Sequence, residues 1–294
     1  HYVGFAHWSN ELLESPSMHA KVEFLAAELA DVAPLGLPTD RPRPAVRSSA
    51  GDVVRVTIPA DVTAHIRTQC RAAGLTMYMA MVAALQVVLW RLCGHTDFAV
   101  GTPTAGRTTA QVEQLIGFFV NTLVLRNDAS VELTFGDVVR RVRERSLAAF
   151  AHQDMPFDKL VDELQPARDL STTPLFQVMF TSESVHSGDG DADGDGGLGS
   201  VLGELVGIGT SGSTKFDLDV SLQIADDDFM VSVGYNTDLF SAAHADRFAA
   251  HLMRLVDGVD VDGVVGNVVL ADDAALRVYT GLADGEAFVD RGAV

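Results

Sequence analysis

The stretch IGFFVNTLVLR, residues 116–126, is apolar, rich in branched and aromatic side chains, and closed by Arg126. It reads as a strand over 118–126, with Asn121 and Thr122 in its middle. Successive strand residues face opposite sides, so one of these polar groups falls on each face. Three environments fit an amide and a hydroxyl placed there. They are satisfied inside a core, they mark a half-exposed strand, or they line a channel where substrate is handled.

The neighbouring segments supply both strands and helices. DFAVGTPTAGR (97–107) is a short strand running into a Gly/Pro loop, and VVRVTIP (53–59) alternates as a strand. ADVTAHIRTQCRAAG is a helix stopped at Gly74, and Thr76 caps MYMAMVAALQVVLWRLCG, which is apolar almost all round and therefore central. Thr134 or Asp137 opens a helix to about Gln153, with Arg140, Arg141, Arg143 and Arg145 mostly on its wet face. A short helix follows near Phe157–Leu164; Asp154 reads as its N-cap and Pro156 as its first turn. LFQVMFTSE (175–183), LVGIGTS, FDLDVSLQIA and FMVSVGYNT are strands, the last two a hairpin through Asp226–Asp228. SAAHADRFAAHLMRLVDGV is an amphipathic helix capped by Ser241. Upstream, 2–32 is helical with a break near Ser15, since Pro16 cannot continue a helix. The pattern lacks strict βαβ alternation, so the fold class is α/β in the sense of a mixed sheet with helices packed on it.

Composition excludes several classes. The chain has 294 residues, 47% of them hydrophobic, enough for a sizeable core. Its net charge of −19 repels phosphate backbones, so no nucleic-acid partner is expected. Cys70 and Cys93 sit in apolar helical patterns and read as core residues of a reducing, cytoplasmic compartment. No apolar run reaches spanning length, and no membrane partner is expected. The nine histidines show no paired ligand spacing, so no metal site is expected. Asp189, Asp191, Asp193, Gly194 and Asp195 start like a calcium loop, but Ser200 stands where a bidentate Glu is needed; 186–200 reads as a mobile acidic loop. No P-loop, dinucleotide fingerprint or G-x-S-x-G is present.

Several stretches form an ordered series. YVGFAHW (Tyr2–Trp8) is followed by the proline connector LPTDRPRPA (37–45), IGFFVNTLVLR, HQDMPFD (152–158), RDLSTTPLFQ (168–177) and YNTDLF (235–240). In this order they resemble the C-terminal portion of a nonribosomal peptide synthetase condensation domain, from Tyr2 to about residue 273. Gly4, Asp158 and Thr172–Thr173 depart from the family's motifs. The family's general-base motif, H-H-x-x-x-D-G, occurs nowhere in the chain, and no catalytic residue is expected here. His1 reads as a boundary, with the base upstream.

The resemblance implies a chloramphenicol-acetyltransferase-like lobe, the second half of a V-shaped pair. It divides the chain into a helical start (1–36), a Pro-rich connector (37–52), the lobe (53–267) and a linker toward an adenylation domain (268–294). It implies peptide-bond formation between thioesters carried on phosphopantetheine arms, with no cofactor bound directly. Implied partners are the N-terminal lobe, the upstream and downstream carrier proteins and the adenylation domain. Asn121, Thr122, Tyr2 and Trp8 are implied on the channel side; Asn121 is expected to hydrogen-bond either the substrate or a neighbouring loop. Arg126, Gln153, Asp154, Pro156, Arg168 and Asp169 are implied as structural motif residues. GTSGSTKFDLDVS (209–221), with Lys215 and Asp217, is implied as a segment bridging to the first lobe. Without that lobe it is expected to be disordered or in a non-native pose, and an exposed apolar patch is expected where the lobes should meet. Alternatives are a non-catalytic domain recruiting a tailoring enzyme, an epimerisation domain, and a stand-alone acyltransferase.

Overall fold

The computed structural model describes residues 1–127, 130, 132–166, 169–185, 212–225, 228–258 and 260–270. The acidic loop 186–200, the strand expected at 205–211, Arg168, and the linker beyond 270 lie outside the described residues.

Six strands form one mixed sheet: β1 (Gly51–Ile58), β2 (Phe98–Thr104), β3 (Asn121–Asn127), β4 (Val178–Val185), β5 (Leu218–Ala225) and β6 (Asp228–Asn236), in the order β1-β6-β5-β4-β2-β3. β4 runs parallel to β2 and β5, and the other neighbours are antiparallel.

Local chemistry sets the helix ends. α1 (Tyr2–Leu13) and α2 (Pro16–Leu29) are separated at Ser15, whose hydroxyl accepts from the Met18 N–H at 3.2 Å, with Pro16 at the first position where its missing N–H costs nothing. α3 (Ala60–Ala73) stops at Gly74 with φ +65°, a conformation glycine adopts without strain. Thr76 caps α4 (Met77–Cys93) through the Met79 N–H, and every residue from Ala80 to Trp90 is buried. After the short α5 (Ala110–Glu113), α6 (Phe135–Ala151) opens with a reciprocal capping box of Thr134 and Asp137. α7 (Phe157–Leu164) and α8 (Ala242–Gly258) complete the set among the described residues.

Alternation along the strands divides the sheet. Phe98, Val100, Leu123, Leu125, Val178, Phe180, Leu218, Val220, Leu222, Val231 and Val233 join α3, α4, α6 and α8 in the main core. On the opposite face, Ala99, Val124 and Met179 pack with α2 and α7 and with Phe176 in a second cluster. No single described helix is long and apolar enough to cross a membrane.

Gly101 belongs to that second face, at the register point where β2 meets Met179 of β4. A β-carbon there would lie 2.3 Å from the Phe176 ring. Gly101→Ala is expected to lower stability by about 1–3 kcal/mol through overpacking. Denaturant unfolding at unchanged m-value checks it, and an unchanged midpoint would show that the ring yields freely.

Candidate functional site

The strand carrying Asn121 begins at Asn121, not at Phe118. The amide and hydroxyl therefore stand at the strand's mouth rather than its middle. Phe118–Val120 belong to a loop that leaves β2 at Thr104, the residue paired with Asn121. This loop passes beneath α1: the Tyr2 hydroxyl donates to the Phe118 carbonyl at 2.9 Å, and a side chain at Gly117 would strike the Tyr2 ring. Of the apolar run 116–120, Phe119 is buried by this loop packing, while Ile116 and Phe118 stay exposed; the run reads as strand from its composition alone.

Asn121 uses its whole amide on the HQDMPFD turn. Its Nδ2 donates to the carbonyls of Gln153 (2.9 Å) and Met155 (2.5 Å), and its Oδ1 accepts from the Phe157 N–H (3.0 Å). Of the two hydrogen-bond partners expected for it, the neighbouring loop is the one it meets here. Asp154 does not cap α7. It pairs instead with Lys21 of α2, at 2.6 and 2.7 Å, while Pro156 occupies the N-cap position, which offers no side-chain acceptor. Asn121 supplies that acceptor from another element. Thr104 donates to Gln153 Oε1 at 2.7 Å, so both strands at the mouth grip the turn.

Thr122 is half-buried and shares a face with Val124 and Arg126. Arg126 forms a bidentate pair with Asp97 (2.6 and 2.7 Å) and donates to the Glu28 and Ala30 carbonyls, fixing the end of α2. Tyr2, Phe5 and Phe119 form an aromatic cluster, with Trp8 beside Phe5 and the Arg107 guanidinium 4.3 Å over the Phe119 ring. Nothing on α1 is buried, and the loop exposes Ile116 (98%) and Phe118 (77%) beside it. Ile116 and Phe118 thus form an exposed apolar patch beside the mouth.

RDLSTTPLFQ comes to the same corner. Phe176 meets Phe157 edge-on at 5.6 Å, and Gln177 Oε1 accepts from the Leu35 N–H at 2.7 Å. Asp169 accepts from Ser171, and hydrogen bonding from its hydroxyl first and its N–H second lowers the carboxyl's pKa. Lys215 is exposed, but Asp217 does not reach outward. Its carboxylate is completely buried against Arg43 of the connector, and the backbone N–H groups of Thr214 and Asp217 donate to the carbonyls of Ser49 and Gln177. Residues 212–217 are thus held within this lobe, contrary to a displaced segment, because Arg43 and Ser49 of the connector and Gln177 ahead of β4 supply their partners. Arg43, Lys21 and Arg107 carry contacts that sequence reading missed; each partner lies on a distant element except those of Arg107.

The family model of the condensation domain matches residues 1–263. A linear gramicidin synthase of Brevibacillus parabrevis is 41% identical over 263 residues, which are 89% of this chain and 3% of that protein. Among solved structures, the complex of the X-domain and OxyB from teicoplanin biosynthesis aligns with a TM-score of 0.79 at 25% identity, over 92% of this chain and 61% of that one. The condensation domain from the Monacolin K polyketide synthase MokA aligns with a TM-score of 0.74 at 20% identity, over 89% of this chain and 62% of that one, a likeness of fold alone.

Proposed function

The chain belongs to the condensation-domain family of nonribosomal peptide synthetases, whose general function is peptide-bond formation, and from that premise we propose that it forms the second wall of such a domain's reaction channel. One observation carries the reading. Four motif stretches far apart in sequence, at 2–8, 116–126, 152–158 and 168–177, close into a single corner at the mouth of β2 and β3. An apolar rim of Ile116 and Phe118 surrounds that corner and offers a seat for the first lobe.

The reaction is the attack of an acceptor amine on a donor thioester, each delivered on the phosphopantetheine arm of a carrier protein. Holding both reactants makes a bimolecular step effectively unimolecular. The general base sits on the first lobe, outside this chain. Here Asn121 and Thr104 fix the turn 153–157, and the aromatic cluster on Phe119 fixes the loop, so the wall presents one shape to the tethered substrates.

The test joins this chain to a first lobe bearing H-H-x-x-x-D-G and supplies two loaded carrier proteins. Dipeptidyl thioester formed only with both lobes present, detected by intact-protein mass spectrometry, is the expected outcome. Inversion of the donor's α-carbon without condensation would favour an epimerisation domain. A second reading follows the X-domain likeness: binding of a tailoring enzyme with no condensation at all would favour a recruiting domain.

A further inference from the structure

The second sheet face carries a polar row that the motif corner does not account for. Thr122 pairs with Pro103, Thr181 with Ser221, Ser221 with Ser232, and Ser232 with Arg55. The parallel register of Gly101 with Met179 brings Pro103 level with Thr181 two residues on, so the row crosses all six strands on the face of Thr122. One step behind it stands Asp219, flanked by Met179 and by Gly234, which brings no side chain.

Three of these groups are buried without a partner. Asp219 is 7% exposed, Ser221 and Thr181 less, and Asp219 Oδ1, Ser221 Oγ and Thr181 Oγ1 find no hydrogen bond. Buried polar atoms are nearly always satisfied, so orphans converging on one patch call for a polar partner beyond this chain's own groups. The charges that face Asp219 are Glu183 on β4 and Lys215 before β5. Burial pushes the Asp219 carboxyl up to about 7, Lys215 opposing and Glu183 reinforcing the rise.

We propose that Asp219, Ser221 and Thr181 form a subsite that receives a primary amine of the substrate, the carboxylate accepting one hydrogen bond from the ammonium and the two hydroxyl oxygens accepting the others. The chemistry selects this class: one acidic acceptor with two neutral hydroxyls complements a group with three N–H donors. The row places the subsite about three strand spacings, roughly 14 Å, from Thr122 at the channel mouth. The proposal rests on the reading that this lobe walls a channel for pantetheine-borne substrates. The amine is either the acceptor's α-amino group or a basic side chain.

The test is calorimetric titration of the 294-residue chain with three stable pantetheine amides: glycyl, Nα-acetyl-lysyl and N-acetylglycyl. One of the two amine-bearing probes is expected to bind about tenfold or more tighter than the acetylated one, as a charge-assisted hydrogen bond to a buried carboxylate warrants. Glycyl preference identifies the α-amine, and lysyl preference the side chain. Asp219→Asn is expected to abolish the preference while melting at or above the wild-type temperature at pH 8. Asp219 is ionised there at a desolvation cost, and that cost vanishes below the unfolded carboxyl's range. If Asp219→Asn fails to fold, Ser221→Ala is expected to narrow the preference in its place. Binding of all three probes with equal affinity, or a preference that survives these substitutions, overturns the subsite and leaves the channel reading standing. No binding of any probe overturns both.

Discussion

Arg43→Ala is expected to destabilise the chain by about 3–5 kcal/mol, the usual consequence of stranding one member of a buried ion pair. Asp217 is completely buried, and Arg43 reaches it with two parallel hydrogen bonds of 3.1 and 2.5 Å while donating a third to the Ser171 carbonyl. Nothing else in the described hydrogen bonds serves the carboxylate. The pair sits where three elements meet: the Asp217 N–H donates to Gln177 ahead of β4, its carbonyl accepts from Asn236 at the end of β6, and its partner lies in the proline connector. The connector is anchored further along by Asp40, which accepts from the Ser241 N–H and hydroxyl and from His244 at the start of α8. Removing the guanidinium therefore frees a strap as well as exposing a charge. Urea unfolding followed by tryptophan fluorescence measures the loss. Arg43→Met combined with Asp217→Leu is expected to recover most of it, because the pair then leaves without an orphaned charge. A melting temperature for Arg43→Ala within a degree of wild type would mean that water reaches Asp217.

The pair also shows what a sequence withholds. Helix ends were legible because their determinants are local: Pro16 after Ser15, Gly74 after a helical period, and Thr134 three residues before Asp137. The division of each strand into a core face and a second face follows from alternation in the same way. Partners from distant elements were not legible. Lys215 sits among Gly and Ser and suggests an outward segment, yet Asp217 turns inward to an arginine 174 positions away. Asp154 has the form of an N-cap, but the acceptor for α7 arrives from Asn121, 36 positions earlier than the N–H it satisfies. FDLDVSLQIA alternates as a half-wet strand would, and only the sheet order reveals that Asp219 and Ser221 lie between neighbours rather than at an edge. The motif stretches were legible as a series, while their meeting at one corner required the fold.

Asn121→Asp is expected to be the most damaging isosteric change at that corner, with a loss of about 2–4 kcal/mol at neutral pH from two carbonyls left facing an oxygen. The shape is preserved and only the donors vanish, so the variant isolates hydrogen bonding from packing. The Phe157 N–H keeps its acceptor, whereas the Gln153 and Met155 carbonyls lose their donor and meet a negative charge. That repulsion raises the new carboxyl's folded pKa above the unfolded value of about 3.9. The charge-linked part of the penalty is accordingly absent below the unfolded pKa and complete once pH has risen through the folded one. Stability relative to wild type should therefore recover on acidification, a protonated carboxyl again donating to one of the two carbonyls. Asn121→Ala loses all three hydrogen bonds and shows no such recovery. Amide exchange at 153–157 should quicken in both variants, since the turn is what Asn121 holds. On the proposed channel reading, condensation by the joined lobes is expected to fall in step with that loosening, since the described hydrogen bonds of the Asn121 amide all go to the turn. Full protection of 153–157 in Asn121→Asp, together with a pH-independent stability difference, would show that the amide does not hold the turn in solution.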